Sequence, residues 1–285
     1  MALVNPVHGE LGSGSLLSWS RRYTEQDIAA FDALSGRVLP VDGAEFLPDL
    51  LVVAPLTKLG GDLDYLARKM VWTHARAVRV DEELTAELEI LGLEEAEGFH
   101  KINFAARVRS DKGDVVLDGT SKGMILRVPG AAGEAAGETA GAGEPGAPAG
   151  HQPRAAADPA VLDEVADGAV LRNQVTVGEG DIDLCAMLTG DRGAHHAVGL
   201  EGRRMAQGLL TATTVPLIRG DGHFHCRSMS MVFLAPVFAG DTAASEVRVA
   251  AGPEPETFTL NTSVRGTDGT ELLVSESTGA FGTSL

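Results

Sequence analysis

The sequence is short of several things. It has two cysteines, Cys185 and Cys226, in 285 residues, too few for a disulfide framework. Two lone thiols suit a reducing compartment. Basic residues are scarce as well: 23 Lys and Arg stand against 40 Asp and Glu, a formal charge of −17. A chain this acidic lacks the positive field that nucleic-acid phosphates require, and anionic membranes would repel it. No apolar run approaches the roughly 18–20 residues that span a bilayer. The start, MALVNPVHGELGSGSLLSW, has neither a basic flank nor a continuous apolar core, so no signal peptide is expected. There is no G-x-S-x-G elbow, no Walker A sequence and no G-x-G-x-x-G after a strand, which leaves no nucleotide cofactor indicated. These absences together predict a soluble cytoplasmic protein that binds neither nucleic acid nor membrane.

What is present is a core-forming composition, 44% hydrophobic and 22% charged, over a length that fits two domains. Between them lies a stretch unlike the rest. Residues 129–160 read PGAAGEAAGETAGAGEPGAPAGHQPRAAADPA, in which Ala, Gly and Pro make up 24 of 32 positions. Nothing there can fill a core, so a flexible linker is expected. The resulting division is a first domain at 1–128, a linker at 129–157 and a second domain at 158–285.

The two domains look like copies. YTEQDIAAFDALSG (23–36) aligns with TVGEGDIDLCAMLTG (176–190) at an offset of 154, matching Glu25 to Glu179, Asp27 to Asp181, Ile28 to Ile182, Leu34 to Leu188 and Gly36 to Gly190. Leu56-Thr57 and Leu210-Thr211 keep that offset. Near each end, VRSDKGDVVLDGTSKG (108–123) aligns with VRGTDGTELLVSESTG (264–279) at an offset of 156. Two matches at nearly equal offsets point to duplication.

Helical spacing of Ile and Leu predicts short helices at Gln26–Leu34 and Asp181–Leu188. A second apolar helix is expected at Asp49–Leu59 in the first half and at Met205–Ile218 in the second, bent or ended by Pro55 and Pro216. Strand-like segments then follow, in the second half at 223–237, 244–251, 257–266 and 271–281. Gly266 to Gly269 reads as a hairpin turn, and Asp111-Lys-Gly113 takes that place in the first half. One apolar helix on an antiparallel sheet, twice, is an α+β arrangement.

This order, and three motifs within it, resemble the MaoC-like (R)-specific enoyl hydratases and (3R)-hydroxyacyl-thioester dehydratases. That family has a hot-dog fold, a curved antiparallel sheet wrapped around a central helix. Its loop, Asp-x-Asn-Pro-x-His after a Ser/Thr-Gly, is matched by Thr189-Gly190-Asp191-Arg192-Gly193-Ala194-His195-His196. Its later glycine, at the start of the central helix, is matched by Gly208 in MAQGLL. FLAPVFAGDT (233–242) is similar to its Phe-x-x-Pro-Val-x-x-Gly-Asp strand.

The likeness covers most of 175–282 and only a worn copy of the first half, where Arg37 aligns with Asp191 and Asp42 with His196. It implies a double hot-dog pseudo-dimer, monomeric or a homodimer, with one working and one degenerate half. The degenerate half would make room for an acyl tail. Two departures stand out. Gly193 and Ala194 replace the family's Asn and Pro, so the Asn that orders this loop is missing, and the His196–Gly208 segment is shorter than usual.

The chemistry the resemblance implies is the interconversion of (3R)-hydroxyacyl and trans-2-enoyl thioesters on coenzyme A or an acyl carrier protein. Such a reaction needs a base at C2, an acid for the hydroxyl and a donor for the developing charge on the thioester oxygen. Histidine suits the first role near neutral pH, a carboxylate the second, and a backbone N–H at a helix start the third. His196, Asp191 and Gly208 are the candidates, and spacing selects His196 over His195, which is then a loop residue.

Arg192, Arg203 and Arg204, in an arginine-rich stretch with Arg219 and Arg227, are candidates for the phosphates of coenzyme A or phosphopantetheine. No metal is expected: the His223-Phe-His225 pair has no further ligand at diagnostic spacing. Cys185 reads as core. Trp19, Trp72, Phe99 and Phe104 are expected in the first half's core or tail pocket. A hot-dog thioesterase, other acyl-thioester chemistry on this scaffold and a non-catalytic acyl-thioester-binding subunit remain open on the sequence.

Overall fold

A computed structural model describes residues 3–36, 45–126, 167–197, 199, 202–215 and 224–281. A small hairpin, β1 (Leu3–Asn5) and β2 (Gly9–Leu11), comes first. The first half then runs β3 (Leu16–Arg22), α1 (Glu25–Ser35), α2 (Asp49–Gly61), β4 (Tyr65–His74), β5 (Glu83–Ala96), β6 (Phe99–Arg109) and β7 (Val115–Leu126). The second half runs β8 (Val170–Thr176), α3 (Glu179–Thr189), α4 (Ala194–Ala197), α5 (Gly208–Ala212), β9 (Phe224–Phe233), β10 (Thr242–Ala251), β11 (Thr257–Gly266) and β12 (Glu271–Phe281).

The two halves have one topology. Counted within each half, strands lie in the order first, third, fourth, fifth, second, and every pairing is antiparallel. The second strands meet. β4 pairs with β9 from Lys69↔Val232 to Thr73↔Ser228, so one ten-stranded sheet runs through both halves. This is the expected α+β tandem hot-dog pseudo-dimer. α2 packs into the sheet's hollow against β3, β5, β6 and β4. Leu51, Val52, Val53, Ala54 and Leu59 of that helix are fully buried, and each Leu or Val contributes about 2 kcal/mol by leaving water.

The matches at an offset of 154 have a physical reading. Asp27 and Asp181 each accept, through the side chain, the N–H three residues back, Thr24 N at 2.9 Å and Gly178 N at 2.9 Å. That satisfies a donor at the helix start and places a negative charge there. Ile28 and Ile182, and Leu34 and Leu188, form the buried stripe. Gly36 and Gly190 close the helices in the left-handed region, at φ 68° and 77°.

Two expectations are corrected. Pro55 does not end α2, which continues to Gly61. The second half's helix is not Met205–Ile218 but Gly208–Ala212. Met205 is extended and bridges Phe238, and the Thr-rich turn after Ala212 bonds its own backbone. Thr213 Oγ1 donates to Leu210 O and Thr214 Oγ1 to Thr211 O, both at 2.7 Å, a local alternative to helix continuation. Pro216 and Ile218 lie outside the described residues. So do the expected linker at 129–157 and the Arg37–Asp42 loop. The opening strand of each half, β3 and β8, and the short α4 were not foreseen.

Candidate active site

The loop after α3 is built by its own hydrogen bonds. Thr189 Oγ1 donates to Cys185 O at 2.8 Å and accepts Asp191 N–H at 3.0 Å. Asp191 Oδ1 accepts Gly193 N–H at 3.2 Å. The single turn of α4 follows, and the next stretch folds back on it: Met205 N–H donates to His195 O at 3.0 Å, and Arg204 Nε to His196 O at 2.7 Å.

Asp191 and His196 come together. Asp191 Oδ2 lies 3.5 Å from His196 Nε2, and both residues are about 5–6% exposed. His196 Nδ1 lies 2.8 Å from Met205 O. A carbonyl only accepts, so Nδ1 carries the proton and donates, and Nε2 faces Asp191 as the basic nitrogen of the neutral ring. Burial alone would push the His196 pKa down. The adjacent Asp191 carboxylate outweighs it, with the Met205 carbonyl and Asp64 adding, and the ring stays above its ordinary 6.5.

The first half reaches this loop through the end of α2. A Cβ on Gly61 would lie 2.1 Å from Asp191 Oδ1 and 2.9 Å from its Cγ, so only glycine lets the helix pass so close to the carboxylate. Asp64, just after α2 at φ 51°, accepts Ala194 N–H through Oδ1 at 2.5 Å. The same oxygen is 3.7 Å from His195 Nδ1. Burial raises the Asp64 pKa, but the facing His195 and the Ala194 N–H win and hold it low. His195 goes the other way: burial lowers its pKa despite Asp64.

A cavity of about 440 Å³ opens beside the pair. Asp191, His195, His196, Gly208 and Thr211 line it from the second half. Its apolar lining comes from both halves: Leu56, Trp72, Leu88, Phe104 and Ala106 from the first, and Leu209, Phe233, Val237 and Phe238 from the second. Gly208 opens α5, where backbone N–H groups have no acceptor within the helix. A Cβ there would lie 3.2 Å from Phe233. Of the aromatics expected near a tail pocket, Trp72 and Phe104 line the cavity. Trp19 and Phe99 do not, although Trp19 packs on the core.

His195, expected to be a loop residue, is buried at 1% exposure against the cavity. Neither Asp64 nor Gly61 was anticipated, because contacts between halves leave no local pattern.

The candidate arginines separate. Arg203 pairs with Asp241, stacking on Phe238 at 4.8 Å. Arg204 pairs with Asp183 at 2.6 Å. Neither lines the cavity. Arg192 is exposed, Arg227 pairs with Glu254 at 2.5 Å, and Arg219 lies outside the described residues. Among the described lysines and arginines, those without an ion-pair partner are Arg68, Lys69, Lys112, Lys122 and Arg192. Three of them are neighbours. Lys69 sits opposite Lys122, and Arg68 is the extra residue of a β-bulge in β4 and lines the cavity.

His225 stands edge-on to Phe46 at 6.1 Å; its sequence partner His223 lies outside the described residues. Among the described residues no cluster of three His, Cys, Asp or Glu has metal-binding geometry. Cys185 is fully buried in the core. Among them, too, no helix is long and apolar enough to cross a membrane.

The fold has solved counterparts. A conserved hypothetical protein from Mycobacterium tuberculosis with a double hotdog fold superposes at TM-score 0.69 and 18% identity, over 95% of this chain and 97% of its own. A MaoC-like dehydratase does so at 0.64 and 14%, over 95% and 99%. A MaoC domain protein dehydratase from Chloroflexus aurantiacus gives 0.61 and 15%, over 95% of each chain. The chain therefore has the double hot-dog fold, and its structural neighbours include MaoC-like dehydratases. No protein-family model and no curated protein matches the sequence.

Proposed function

We infer that the protein is a hydro-lyase of the MaoC-like kind, interconverting (3R)-hydroxyacyl and trans-2-enoyl thioesters. The observation that carries this reading is the buried Asp191–His196 pair on the wall of a mainly apolar cavity that both halves line. His196 Nε2 removes the C2 proton in dehydration. Asp191, in the form of the pair that has the proton on its carboxyl and a neutral His196, holds the departing hydroxyl and gives it that proton, so water leaves as the C2 proton reaches Nε2, and the pair resets when Nε2 returns a proton to Asp191. Hydration runs through the same groups in reverse. The Gly208 N–H at the start of α5 stabilises the charge that develops on the thioester oxygen. The acyl tail extends between Trp72, Leu88, Phe104 and Ala106.

The thioester arrives on coenzyme A or a phosphopantetheine arm, and no further cofactor takes part. Its phosphates find unpaired cations at Arg68, Lys69 and Lys122, and at Arg192 on the catalytic loop. Arg203 and Arg204, already committed to Asp241 and Asp183, serve mainly to hold the segment that returns from His196 to Gly208. Fatty-acid or polyketide-type metabolism in the cytoplasm is the setting this substrate class implies. The tandem halves supply the paired hot-dog unit within one chain, as a monomer or as half of a homodimer.

The test follows enoyl-thioester absorbance with crotonyl and longer trans-2-enoyl thioesters, with a thiol-trapping dye in parallel. Wild type should consume the enoyl group without releasing thiol, while Asp191→Asn and His196→Ala each lose about a thousandfold or more. In the hydration direction followed here His196 must carry the proton it gives to C2, so activity should fall as pH rises through its pKa, which lies above the 6.5 of an ordinary histidine. Thiol release would replace this reading with a thioesterase. Binding without turnover of either kind would replace it with an acyl-thioester-binding protein.

A further inference from the structure

The loop that carries Asp191 and His196 lacks the Asn found in the pattern it resembles, and the space at that position is taken. A Cβ on Gly193 would lie 2.9 Å from His195 Cε1, 3.2 Å from His195 Nδ1 and 3.4 Å from Asp64 Oδ1. Gly193 does not have a positive φ, so room, not backbone conformation, is what glycine provides. Asp64 comes from the first half. Its Oδ1 accepts the N–H of Ala194, the first residue of α4, and faces His195 Nδ1. The His195 ring in turn lies 3.8 Å, centroid to centroid, from the His196 ring. His195 is fully buried, and neither ring nitrogen has a hydrogen bond of normal length.

We propose that Asp64 is the positioning residue of the catalytic loop, and that through Ala194 and His195 it supplies from the opposite half the order that the loop's own Asn would otherwise provide. Gly193, His195 and Asp64 then form one interdependent set. A side chain at position 193 is excluded because the ring and carboxylate that replace its function occupy its place.

Asp64 also acts on His196 by charge. The groups facing His196 are Asp191 at Nε2, His195 against its ring, Asp64 behind His195, and Arg204, whose guanidinium bonds the His196 carbonyl. Lys58 lies against Gly190, neutralised by Asp62. Removing the Asp64 charge therefore favours the neutral His196 ring.

The inference rests on the proposed function for its kinetic arm only. Its first arm needs no substrate: imidazole resonances of the full-length protein are titrated by NMR in wild type and Asp64→Asn. The amide oxygen of Asn still accepts the Ala194 N–H, so the shape is kept and the charge is lost. His196 should titrate about half a unit lower or more. An unmoved titration overturns the proposal, whatever the enzyme does.

The second arm uses turnover. Gly193→Asn should lower kcat about a hundredfold with a smaller change in KM. Adding His195→Ala, which vacates the ring's space, should recover about tenfold of it. A double variant no better than Gly193→Asn overturns the proposal, and this exchange decides alone should Asp64→Asn fail to fold. If wild type turns over no enoyl thioester, the proposed function fails while the titration still decides about Asp64.

Discussion

The two halves share a topology down to the carboxylate that caps their first helix, yet they use their second helix differently. In the first half α2 runs thirteen residues and is buried almost throughout. In the second, α5 is five residues long and its start faces the cavity. One copy has kept its helix as core. In the other the helix is shorter and its first residue lines the cavity with Asp191 and His196. The comparison also shows that the half without the pair is not passive. Gly61 and Asp64, at the end of the long helix, press directly on the loop of the other copy. At an offset of 154 their counterparts are Val215 and Ile218, which offer neither the space nor the charge.

The sharpest way to break the comparison is Gly61→Ala, a methyl group added in the half that holds no catalytic pair. Its Cβ meets Asp191 Oδ1 at 2.1 Å, and activity should drop about a hundredfold, since displacements near 1 Å cost that much. Retained activity with an unchanged Asp191 environment would mean the halves are less coupled than the contact implies. Next in size is Ala106→Phe, which fills the first half's end of the cavity. The ratio of kcat/KM for long over short enoyl thioesters should fall about tenfold or more, with crotonyl turnover little changed. A uniform loss across chain lengths would place the tail elsewhere.

A smaller effect is expected from Arg68→Ser with Lys122→Ser. KM for a coenzyme A thioester should rise about fivefold at low salt, with kcat unchanged and the difference shrinking as salt rises. No KM change would remove the phosphate contact from this surface.

The least visible in turnover is His74 of the first half. Burial pushes its pKa down from 6.5 to about 4, and neither ring nitrogen has a partner. The fold keeps this ring neutral, so it carries no charge penalty above pH 6.5, and a destabilisation grows as pH falls toward 4 and the unfolded chain takes up the proton. Over that window it amounts to about 3 kcal/mol. His74→Leu should flatten the dependence of chemical-denaturation stability on pH in this range. An unaltered slope would assign the acid sensitivity to other groups.

Much of this was legible in the chain because the signals were local. Asp27 and Asp181, the glycines at 36 and 190, and the turn glycines at 113 and 269 each act on their own few residues. The four strands read from the second half therefore fall close to β9–β12. Asp191 and His196, five positions apart, were picked out by the loop motif of the family the sequence resembles. What was missed depends on distant partners or on side chains competing with the backbone. The TATT run after Leu210 looks apolar enough to continue a helix, but its hydroxyls take the carbonyls of the preceding turn. GGDLDY at 60–65 reads as an ordinary turn, and nothing in it announces that Gly61 and Asp64 serve a loop 130 residues away. Arg203 and Arg204 stand out in an acidic sequence, but only the structure shows that their charges are already answered.

The seam between β4 and β9 sets the terms on which such a chain can evolve. Equivalent strands meet there in one continuous sheet, so neither copy can drift in its second strand without disturbing its twin. The first copy has Arg37 and Asp42 where the second has Asp191 and His196. It still meets its twin at the seam, and Gly61 and Asp64 reach the loop of the Asp191–His196 pair. Its sequence should be variable over its former loop and constrained at Gly61, Asp64 and β4, which is the reverse of what its loss of catalytic residues would suggest.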